Sequence, residues 1–256
     1  MDSVAFCSEN RAATFPDNAL DGRQPMDCEP HTKARAFFGR RKGHKLRPRQ
    51  THLIETLLPR LAIDLSHSAP ADLRTLFPAA VTGVVMEIGF GGGESMIAQA
   101  TAQPEIGIIG VEPFINGMAK ALAAIEVGNI KNIRLHFDDA AALIEWLPEA
   151  SLTRIDLVHP DPWPKRRHWK RRFVQDDMVA RLARILRPGG EFRFVTDVSG
   201  YAAWTLQRLL RSAKFEWTAR CADDWRRAWS DFTPTRYHAK AAREDRASCF
   251  LVFRRI

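Results

Sequence analysis

The chain has 256 residues, of which 45% are hydrophobic, and its formal net charge is +8 with a sequence pI of about 9.7. This length suffices for one large α/β domain, and no apolar run is long enough to span a bilayer. Clustered Lys and Arg side chains gain free energy by releasing counterions from phosphates, so the charge favours a polyanionic partner over a membrane.

The first 32 residues have a composition typical of a disordered leader. They contain Pro, Asn, Asp and Gly without an apolar period, and they lack the apolar segment of a secretory signal. The four cysteines, at 7, 28, 221 and 249, have no C-x-x-C spacing, which indicates neither a metal site nor a disulfide framework. We therefore expect a cytoplasmic protein with a leader at 1–32 and one domain at 33–256, which begins with a basic arm at 33–49.

Strand and helix patterns alternate along the rest of the chain. An amphipathic helix is predicted at 50–65, broken near Pro59. The strands are predicted at 81–89, 106–112, 132–137, 154–160, 191–197, 214–219 and 248–254. The later helices are predicted at 94–102, 114–127, 141–147, 173–187 and 201–213, with Pro188-Gly189-Gly190 ending the fourth. This alternation predicts an α/β fold with a mostly parallel seven-stranded sheet and helices on both faces.

The first strand ends in a glycine-rich segment, EIGFGGGE, at 87–94. Glycines such as Gly89 and Gly91 let the backbone approach a ligand closely, and the following helix offers free N–H groups. A G-x-G-x-x-G dinucleotide fingerprint that starts at Gly89 needs a glycine where this chain has Glu94. A Glu beside the loop suits a ligand with an ammonium or sulfonium group and repels phosphate. The pattern therefore favours a nucleoside cofactor with an amino-acid tail.

Acidic residues follow the next two strands. Glu112 ends the second strand, where a carboxylate can accept hydrogen bonds from both hydroxyls of a ribose. Asp138 and Asp139 follow the third strand, where an acid can accept from the exocyclic amine of an adenine. Together with the glycines, these acids outline a pocket along one edge of the sheet. The alternative is a tight glycine turn beside solvated acids.

The fourth strand leads into HPDPWPKRRHWKRR at 159–172, in which six of the last eight residues are Lys or Arg. Pro160 and Pro162 restrict the backbone, and we expect the residue before each of them to be extended. This stiffness aims Asp161 at a ligand, with a turn Asp that caps its own loop as the alternative. Trp163 either stacks on a base or packs within the loop.

Two clusters of cations are candidates for phosphate contacts. One is the run from Lys165 to Arg172, for which a solvated helix face is the alternative. The other lies in the basic arm, at Arg40, Arg41, Lys42 and Lys45, and we expect it to be flexible until RNA orders it.

Together with TDVSGY at 196–201 and TRYHAKA at 235–241, these motifs make residues 33–256 similar to the tRNA (guanine-N7-)-methyltransferase family. The segment P-D-P-W-x-K followed by the basic run is the most specific part of this resemblance. It implies a Rossmann-like S-adenosylmethionine-dependent methyltransferase. Such an enzyme transfers a methyl group to N7 of a guanine in the tRNA variable loop and forms 7-methylguanosine, and we expect a monomer or a weak homodimer without a metal.

The resemblance also implies roles for individual residues. With the loop glycines, the cofactor contacts fall on Glu87, Gly89, Gly91, Glu112, Asp139 and Asp161. The contacts to tRNA or its base fall on Lys165, Asp197, Thr235, Arg236, Tyr237 and His238. For Asp197 the alternative is an N-cap of the helix at 201–213. His238 departs from the family pattern, Thr-x-aromatic-Glu, and an imidazole cannot accept two hydrogen bonds as a carboxylate does.

The chemistry that the resemblance implies needs position and charge more than it needs a base. Guanine N7 presents a lone pair in the ring plane and requires no deprotonation before attack. A carboxylate beside the ring stabilises the positive charge of the product, and Asp161 is the candidate for this catalytic role. It can also accept from guanine N1–H and the N2 amine, which selects guanine over adenine.

Three other functions remain open on the sequence alone. A protein or small-molecule methyltransferase shares the cofactor loop, but it does not account for the two cationic clusters. A non-catalytic RNA-binding protein can retain this fold, with His238 as a sign of lost chemistry. A nicotinamide-dependent oxidoreductase also has a glycine loop after its first strand, but the absence of glycine at position 94 and the basic charge speak against it.

Overall fold

The computed structural model of the protein describes residues 38–256, and the leader predicted at 1–32 lies outside them. Within this range the strands form one seven-stranded sheet with the order β3-β2-β1-β4-β5-β7-β6. Strands β1 to β5 are mutually parallel, and β7 is antiparallel to both of its neighbours. The strands are β1 (Gly83–Ile88), β2 (Ile106–Val111), β3 (Ile133–His136), β4 (Leu152–Val158), β5 (Leu186–Thr196), β6 (Phe215–Trp217) and β7 (Cys249–Arg255).

The helices cover both faces of this sheet. They are α1 (Pro48–Thr56), α2 (Leu58–Leu61), α3 (Glu94–Ala102), α4 (Ile115–Gly128), α5 (Ala140–Trp146), α6 (Asp176–Ile185), α7 (Ser199–Arg211), α8 (Asp223–Arg226) and α9 (Arg236–Arg243). Helices α1 to α4 bury their apolar residues against one face, and α5 to α7 bury theirs against the other. Successive residues of β1, Val85 and Met86, belong to opposite cores, which is why this central strand is apolar throughout.

The predicted fold class and the order of strands and helices are confirmed, and two boundaries are wrong. The break predicted near Pro59 is confirmed, since α1 ends at Thr56 and Pro59 occupies the first turn of α2, but α2 ends at Leu61 and not at residue 65. The helix expected to run to the Pro-Gly-Gly stop ends at Ile185 instead. Leu186 already pairs with Leu152 of β4, and the positive φ of Gly189 lets the chain turn before the main ladder begins.

Several short elements had no prediction. They are 3₁₀ helices at Leu73–Leu76 and Arg166–Arg171, and the helices α8 and α9. The second 3₁₀ helix organises the basic segment (Lys165–Arg172), and α9 follows directly after Thr235. In the part of the chain that the structure describes, no helix combines the length and the apolar character that a membrane span requires.

Candidate active site

The carboxyl ends of five parallel strands bring the predicted site residues to one edge of the sheet, the carboxyl edge. The glycine loop (Gly89–Gly93) follows β1, Glu112 follows β2, and Asp139 lies just beyond β3. The Asp161 loop (His159–Pro164) follows β4, and Asp197 follows β5. This edge is where α/β sheets of this type bind their ligands.

The glycine loop adopts backbone conformations that other residues rarely adopt. Gly89, Gly91 and Gly93 have φ values of 71°, 59° and 83°, and Gly93 caps the N-terminus of α3. A Cβ added at Gly89 would meet no atom within 4 Å. The loop therefore leaves open space beside its backbone, as a site for a closely bound ligand requires.

Glu87 lies buried beneath this loop, with 2% of its surface exposed. Its Oε2 atom has no hydrogen-bond partner among residues 38–256. Burial, with a contribution from the negative charge of Asp156, raises the pKa of the carboxyl from 4.5 to about 8. An unsatisfied acceptor of this kind fits a ligand that brings a hydrogen-bond donor or a positive charge.

Glu112 connects the glycine loop to the end of β2. Its Oε2 accepts a hydrogen bond from the Gly91 N–H at 2.7 Å, and its Oε1 accepts from the Phe114 N–H at 2.9 Å. Burial raises the pKa of this carboxyl, while the two backbone hydrogen bonds and the charge of Arg236 oppose the rise. Each oxygen retains a second lone pair for a ligand hydroxyl.

The two acids after β3 have partners of different kinds. Asp139 caps α5, because its Oδ1 accepts from the Ala141 N–H at 2.8 Å. Its Oδ2 makes no hydrogen bond within residues 38–256 and remains an acceptor for a ligand. Asp138 instead forms an ion pair with Arg41 at 2.8 Å.

The prediction of extended backbone before each proline is wrong for His159, which has a φ of 49°. The His159 N–H donates to the Val195 carbonyl at 2.8 Å, and the imidazole lies 96% buried with Nδ1 3.5 Å from Asp197 Oδ1. These contacts hold a conformation that a residue before proline normally avoids. Trp163 also has a positive φ, 42°.

Asp161 sits on the loop between these two strained residues. Its side chain is exposed and makes no hydrogen bond within residues 38–256, so the capping alternative has no support. The surrounding protein still desolvates the carboxyl enough to raise its pKa, and the charge of Arg40 opposes this rise. Trp163 packs against the loop's own neighbours: the guanidinium of Arg171 lies 4.9 Å from its ring centroid, and His168 makes an edge contact at 5.7 Å.

Asp197 does not cap α7, whose N-cap is Val198. Its Oδ2 accepts from Arg246 Nε at 2.7 Å, and its Oδ1 faces His159. Burial favours a higher pKa, but the hydrogen bond from Arg246 and the charge of Arg246 hold the pKa of Asp197 below its ordinary value. Asp197 is therefore an ionised group that faces the first residue of the Asp161 loop.

The first turn of α9 lies over the glycine loop. A Cβ added at Gly91 would lie 3.8 Å from Arg236 Nη2 and 4.0 Å from the Tyr237 ring. Thr235 caps the helix by accepting from the His238 N–H at 3.3 Å. A cavity below them is lined by residues that include Glu87, Gly89, Val158, His159, Arg236 and Tyr237.

His238 lies in a cluster of aromatic rings next to this cavity, with its ring centroid 5.9 Å from that of His159, which lines the cavity. Its ring centroid lies 5.2 Å from Phe232 and 6.0 Å from Phe250, and its Nδ1 is 3.3 Å from Ser248 Oγ. The Glu of the family pattern, placed among these rings, would need a different hydrogen-bond partner. Another cavity, of about 260 Å³, lies at the opposite edge of the sheet beside Arg187, and no predicted site residue is among those that line it.

The basic arm makes contacts with the start of α4, which the sequence did not predict. Gly43 N–H donates to Asn116 Oδ1 at 2.8 Å, and Asn116 Nδ2 donates to the His44 carbonyl at 2.7 Å. The Arg41 carbonyl accepts from the Ile115 N–H at 3.0 Å. The arm thus crosses the start of α4, and nothing in the sequence marks Asn116 as its anchor.

The basic segment is not a uniform surface for phosphate. Lys165, Arg166, Arg167 and Lys170 are exposed. Arg172 is 2% exposed, so its assignment to the phosphate-contacting cations is wrong. The sequence alone does not show which of these cations are buried, because the buried and the exposed ones are residues of the same types.

Comparisons with known proteins agree with this geometry. A family model described as a putative methyltransferase matches residues 82–251. Among solved structures, an antibiotic-related methyltransferase is 16% identical with a TM-score of 0.52, covering 75% of this chain and 96% of that chain. The 16S rRNA methyltransferase KamB is 14% identical with a TM-score of 0.51, covering 75% and 96%. The fold and the site together define a Rossmann-like, S-adenosylmethionine-dependent methyltransferase.

Curated relatives identify the family. A tRNA (guanine-N(7)-)-methyltransferase of Rhodopseudomonas palustris (strain BisB5) is 62% identical over 221 residues, which cover 86% of each chain. The enzyme of that name from Nitrobacter hamburgensis is 58% identical over 240 residues, covering 94% of this chain and 93% of its own. The one from Bradyrhizobium diazoefficiens is 60% identical and covers 90% and 97%. The chain belongs to the tRNA (guanine-N7-)-methyltransferase family.

Proposed function

We propose that this protein transfers the methyl group of S-adenosylmethionine to N7 of a guanine in the variable loop of tRNA, forming 7-methylguanosine. The observation that carries this assignment is the 62% identity over 221 residues to a relative of that name. A non-catalytic RNA-binding role is disfavoured, because the similar relatives are named as enzymes. We expect the protein to act in the cytoplasm as a monomer or a weak homodimer.

The residues at the carboxyl edge fit the cofactor. The unsatisfied Oε2 of Glu87 suits its ammonium group, and the open space at Gly89 admits its amino-acid tail. The lone pairs of Glu112 suit the ribose hydroxyls, and Oδ2 of Asp139 suits the adenine amine. When bound, S-adenosylmethionine supplies the methyl group on a positively charged sulfur.

Asp161 is the group we assign to catalysis. It stands exposed at the carboxyl edge without a hydrogen bond to any of residues 38–256, so its carboxylate can accept from guanine N1–H and the N2 amine. This contact presents N7 for attack and stabilises the positive charge that develops on the ring. The charge of Arg40 favours the ionised form of Asp161 that this role requires.

We assign tRNA contacts to the exposed part of the basic segment and to α9. Lys165 precedes the 3₁₀ helix beside the Asp161 loop, where a phosphate approaching with the base would meet it. Arg236 and Tyr237 face the mouth of the pocket, while Thr235 and His238 hold α9 in place. Asp197 contributes by orienting His159 at the start of the Asp161 loop.

Mass analysis of nucleosides tests this function. We incubate the purified protein with bulk tRNA and S-adenosylmethionine, digest the tRNA and expect 7-methylguanosine. The Asp161→Ala variant should lose about 100-fold or more in rate, because it lacks the charge that stabilises the product-like ring. Its melting temperature should not change. The matched control is Asp177→Ala, which removes an exposed acid of α6 and should leave the rate intact.

Two outcomes would overturn the proposal. A folded protein that binds S-adenosylmethionine in a calorimeter but forms no 7-methylguanosine is not this enzyme. Full activity of the Asp161→Ala variant would leave the family assignment in place and refute the role of Asp161.

A further inference from the structure

A buried guanidinium holds the Asp161 loop from beneath. Arg172 Nε donates to the Pro162 carbonyl at 3.0 Å, and Arg172 Nη1 donates to the Gly200 carbonyl at 3.2 Å. Pro162 is adjacent to Asp161, and Gly200 lies in the first turn of α7, three residues after Asp197. One side chain therefore links the loop after β4 to the loop after β5.

Three aromatic rings form a cage that fixes the plane of this guanidinium. The Cζ atom of Arg172 lies 4.9 Å from the ring centroid of Trp169 and 5.0 Å from those of Tyr201 and Trp204. The cage is itself anchored, because Trp204 Nε1 donates to the Val174 carbonyl at 2.7 Å. Arg is suited to such a place, since its planar fork stacks on rings while its N–H groups bind acceptors.

The cage also holds the far end of the loop. Trp169 Nε1 donates to the Pro164 carbonyl at 3.3 Å. The positive φ values of His159 and Trp163, 49° and 42°, are strained for residues with side chains. Such conformations persist only where the surrounding structure enforces them. The hydrogen bonds from Arg172 to the Pro162 carbonyl and from Trp169 to the Pro164 carbonyl contribute to enforcing them.

We propose that Arg172 is a positioning residue for methyl transfer. It acts through the Pro162 carbonyl and the start of α7 to set Asp161 relative to Asp197, and it does not touch tRNA. This inference rests on the proposed function of Asp161. It separates Arg172 from the other cations of the basic segment, which act at the surface.

The test is steady-state kinetics of Arg172→Lys and Arg172→Met. Lysine keeps the charge but cannot donate to both carbonyls or stack as a planar group, so both variants should lose about tenfold or more in kcat. The Kd for S-adenosylmethionine and the Kd for tRNA should stay within about threefold, because a displaced loop affects the reaction more than these binding surfaces. Trp169→Phe, which removes the bond to Pro164 and keeps a smaller aromatic ring beside Arg172, should lower kcat less.

Arg184 offers a matched control at a distance from the site. It is also partly buried and donates to backbone carbonyls, one of them that of Leu147 at 2.8 Å, where it joins α5 to α6. Arg184→Lys should lower the melting temperature as Arg172→Lys does, but leave kcat per folded molecule unchanged.

The outcomes separate the two proposals. If the wild-type protein forms no 7-methylguanosine, the proposed function is wrong. If the wild type is active and Arg172→Lys keeps its kcat, or loses only tRNA affinity, Arg172 is not a positioning residue. If the Arg172 variants do not fold, Trp169→Phe decides, and an unchanged kcat in that variant refutes the proposal.

Discussion

At the carboxyl edge of the sheet, Glu87 has a carboxyl group whose pKa lies far above its ordinary value. Its pKa of about 8 reflects burial first and the nearby charge of Asp156 second. The empty protein therefore carries this group protonated at neutral pH, although a cationic ligand would favour its ionised form. Binding of such a ligand must displace the proton.

Calorimetry can detect this proton. At pH 7, binding of S-adenosylmethionine should release a proton from Glu87, so the measured enthalpy should depend on the ionisation enthalpy of the buffer. Affinity should rise as pH increases toward about 8. In the Glu87→Gln variant the buffer dependence should disappear and the affinity should fall. An enthalpy that is the same in every buffer for the wild type would contradict the assignment.

The raised pKa of Glu87 also makes the free energy of unfolding depend on pH. Because the folded pKa of about 8 lies above the ordinary 4.5, the folded state binds more protons than the unfolded state between these values. This group therefore lowers the free energy of unfolding of the empty protein as pH rises through that window. Glu87→Gln should remove this part of the pH dependence.

At the scale of an element, the side chain of Asn116 makes two of the hydrogen bonds that attach the basic arm to the start of α4. Asn116 both accepts from Gly43 and donates to His44, so its amide satisfies two backbone groups of the arm. The arm in turn brings Arg41 to Asp138, next to the proposed adenine acceptor Asp139. The position of the arm and the shape of the pocket are therefore connected.

Limited proteolysis tests this attachment. Asn116→Ala removes both hydrogen bonds, so trypsin should cleave within Arg40–Lys45 about 30-fold faster than in the wild type, corresponding to two bonds worth about 1 kcal/mol each. The control is Gln207→Ala, an exposed amide of α7, which should leave the cleavage rate unchanged. Equal cleavage of both variants would show that the arm is held elsewhere.

The positions of the strands and of the pocket at their carboxyl ends were the features that the sequence predicted best. Apolar runs identified β1 and β2 because a strand buried on both faces, such as Val84–Ile88, has no polar alternation. Parallel strands also share one carboxyl edge, which placed Glu112 and Asp161 near each other without knowledge of any contact.

Contacts between distant segments could not be predicted in the same way. Arg236 lies above Gly91 because α9 leads into β7, which pairs beside β5, and no local pattern encodes that pairing. Arg172 and Arg171 are neighbours of identical type, yet the cage of rings buries only the first completely. Tertiary packing decides such cases.

At the scale of the whole molecule, the two cationic clusters lie on the same side of the pocket. Arg171 of the basic segment stacks on Phe38 at the start of the described chain, with 5.0 Å from its guanidinium to the ring centroid. Arg40 is near enough to Asp161 to influence its pKa. The net charge of +8 is therefore concentrated in part where the tRNA backbone would approach.

Salt titration of tRNA affinity measures this concentration of charge. Removing two phosphate contacts with Arg166→Ala and Arg167→Ala should reduce the slope of log Kd against log salt by about 1 to 2. Lys214→Ala is the control, because it removes an exposed cation at the opposite edge of the sheet, before β6. An equal change of slope in both proteins would mean that tRNA does not dock preferentially on the pocket side.

The order of strands has a consequence for synthesis on the ribosome. β6 precedes β7 in the chain but lies outside it in the sheet, so β6 has no pairing partner until β7 has emerged. Until then the outer side of β5 is an open edge, which invites association with other chains. Insertion of β7 closes this edge and settles α9 over the glycine loop in the same event. A nascent chain therefore cannot complete the tRNA-contacting surface proposed for α9 before it has also covered the open edge of β5.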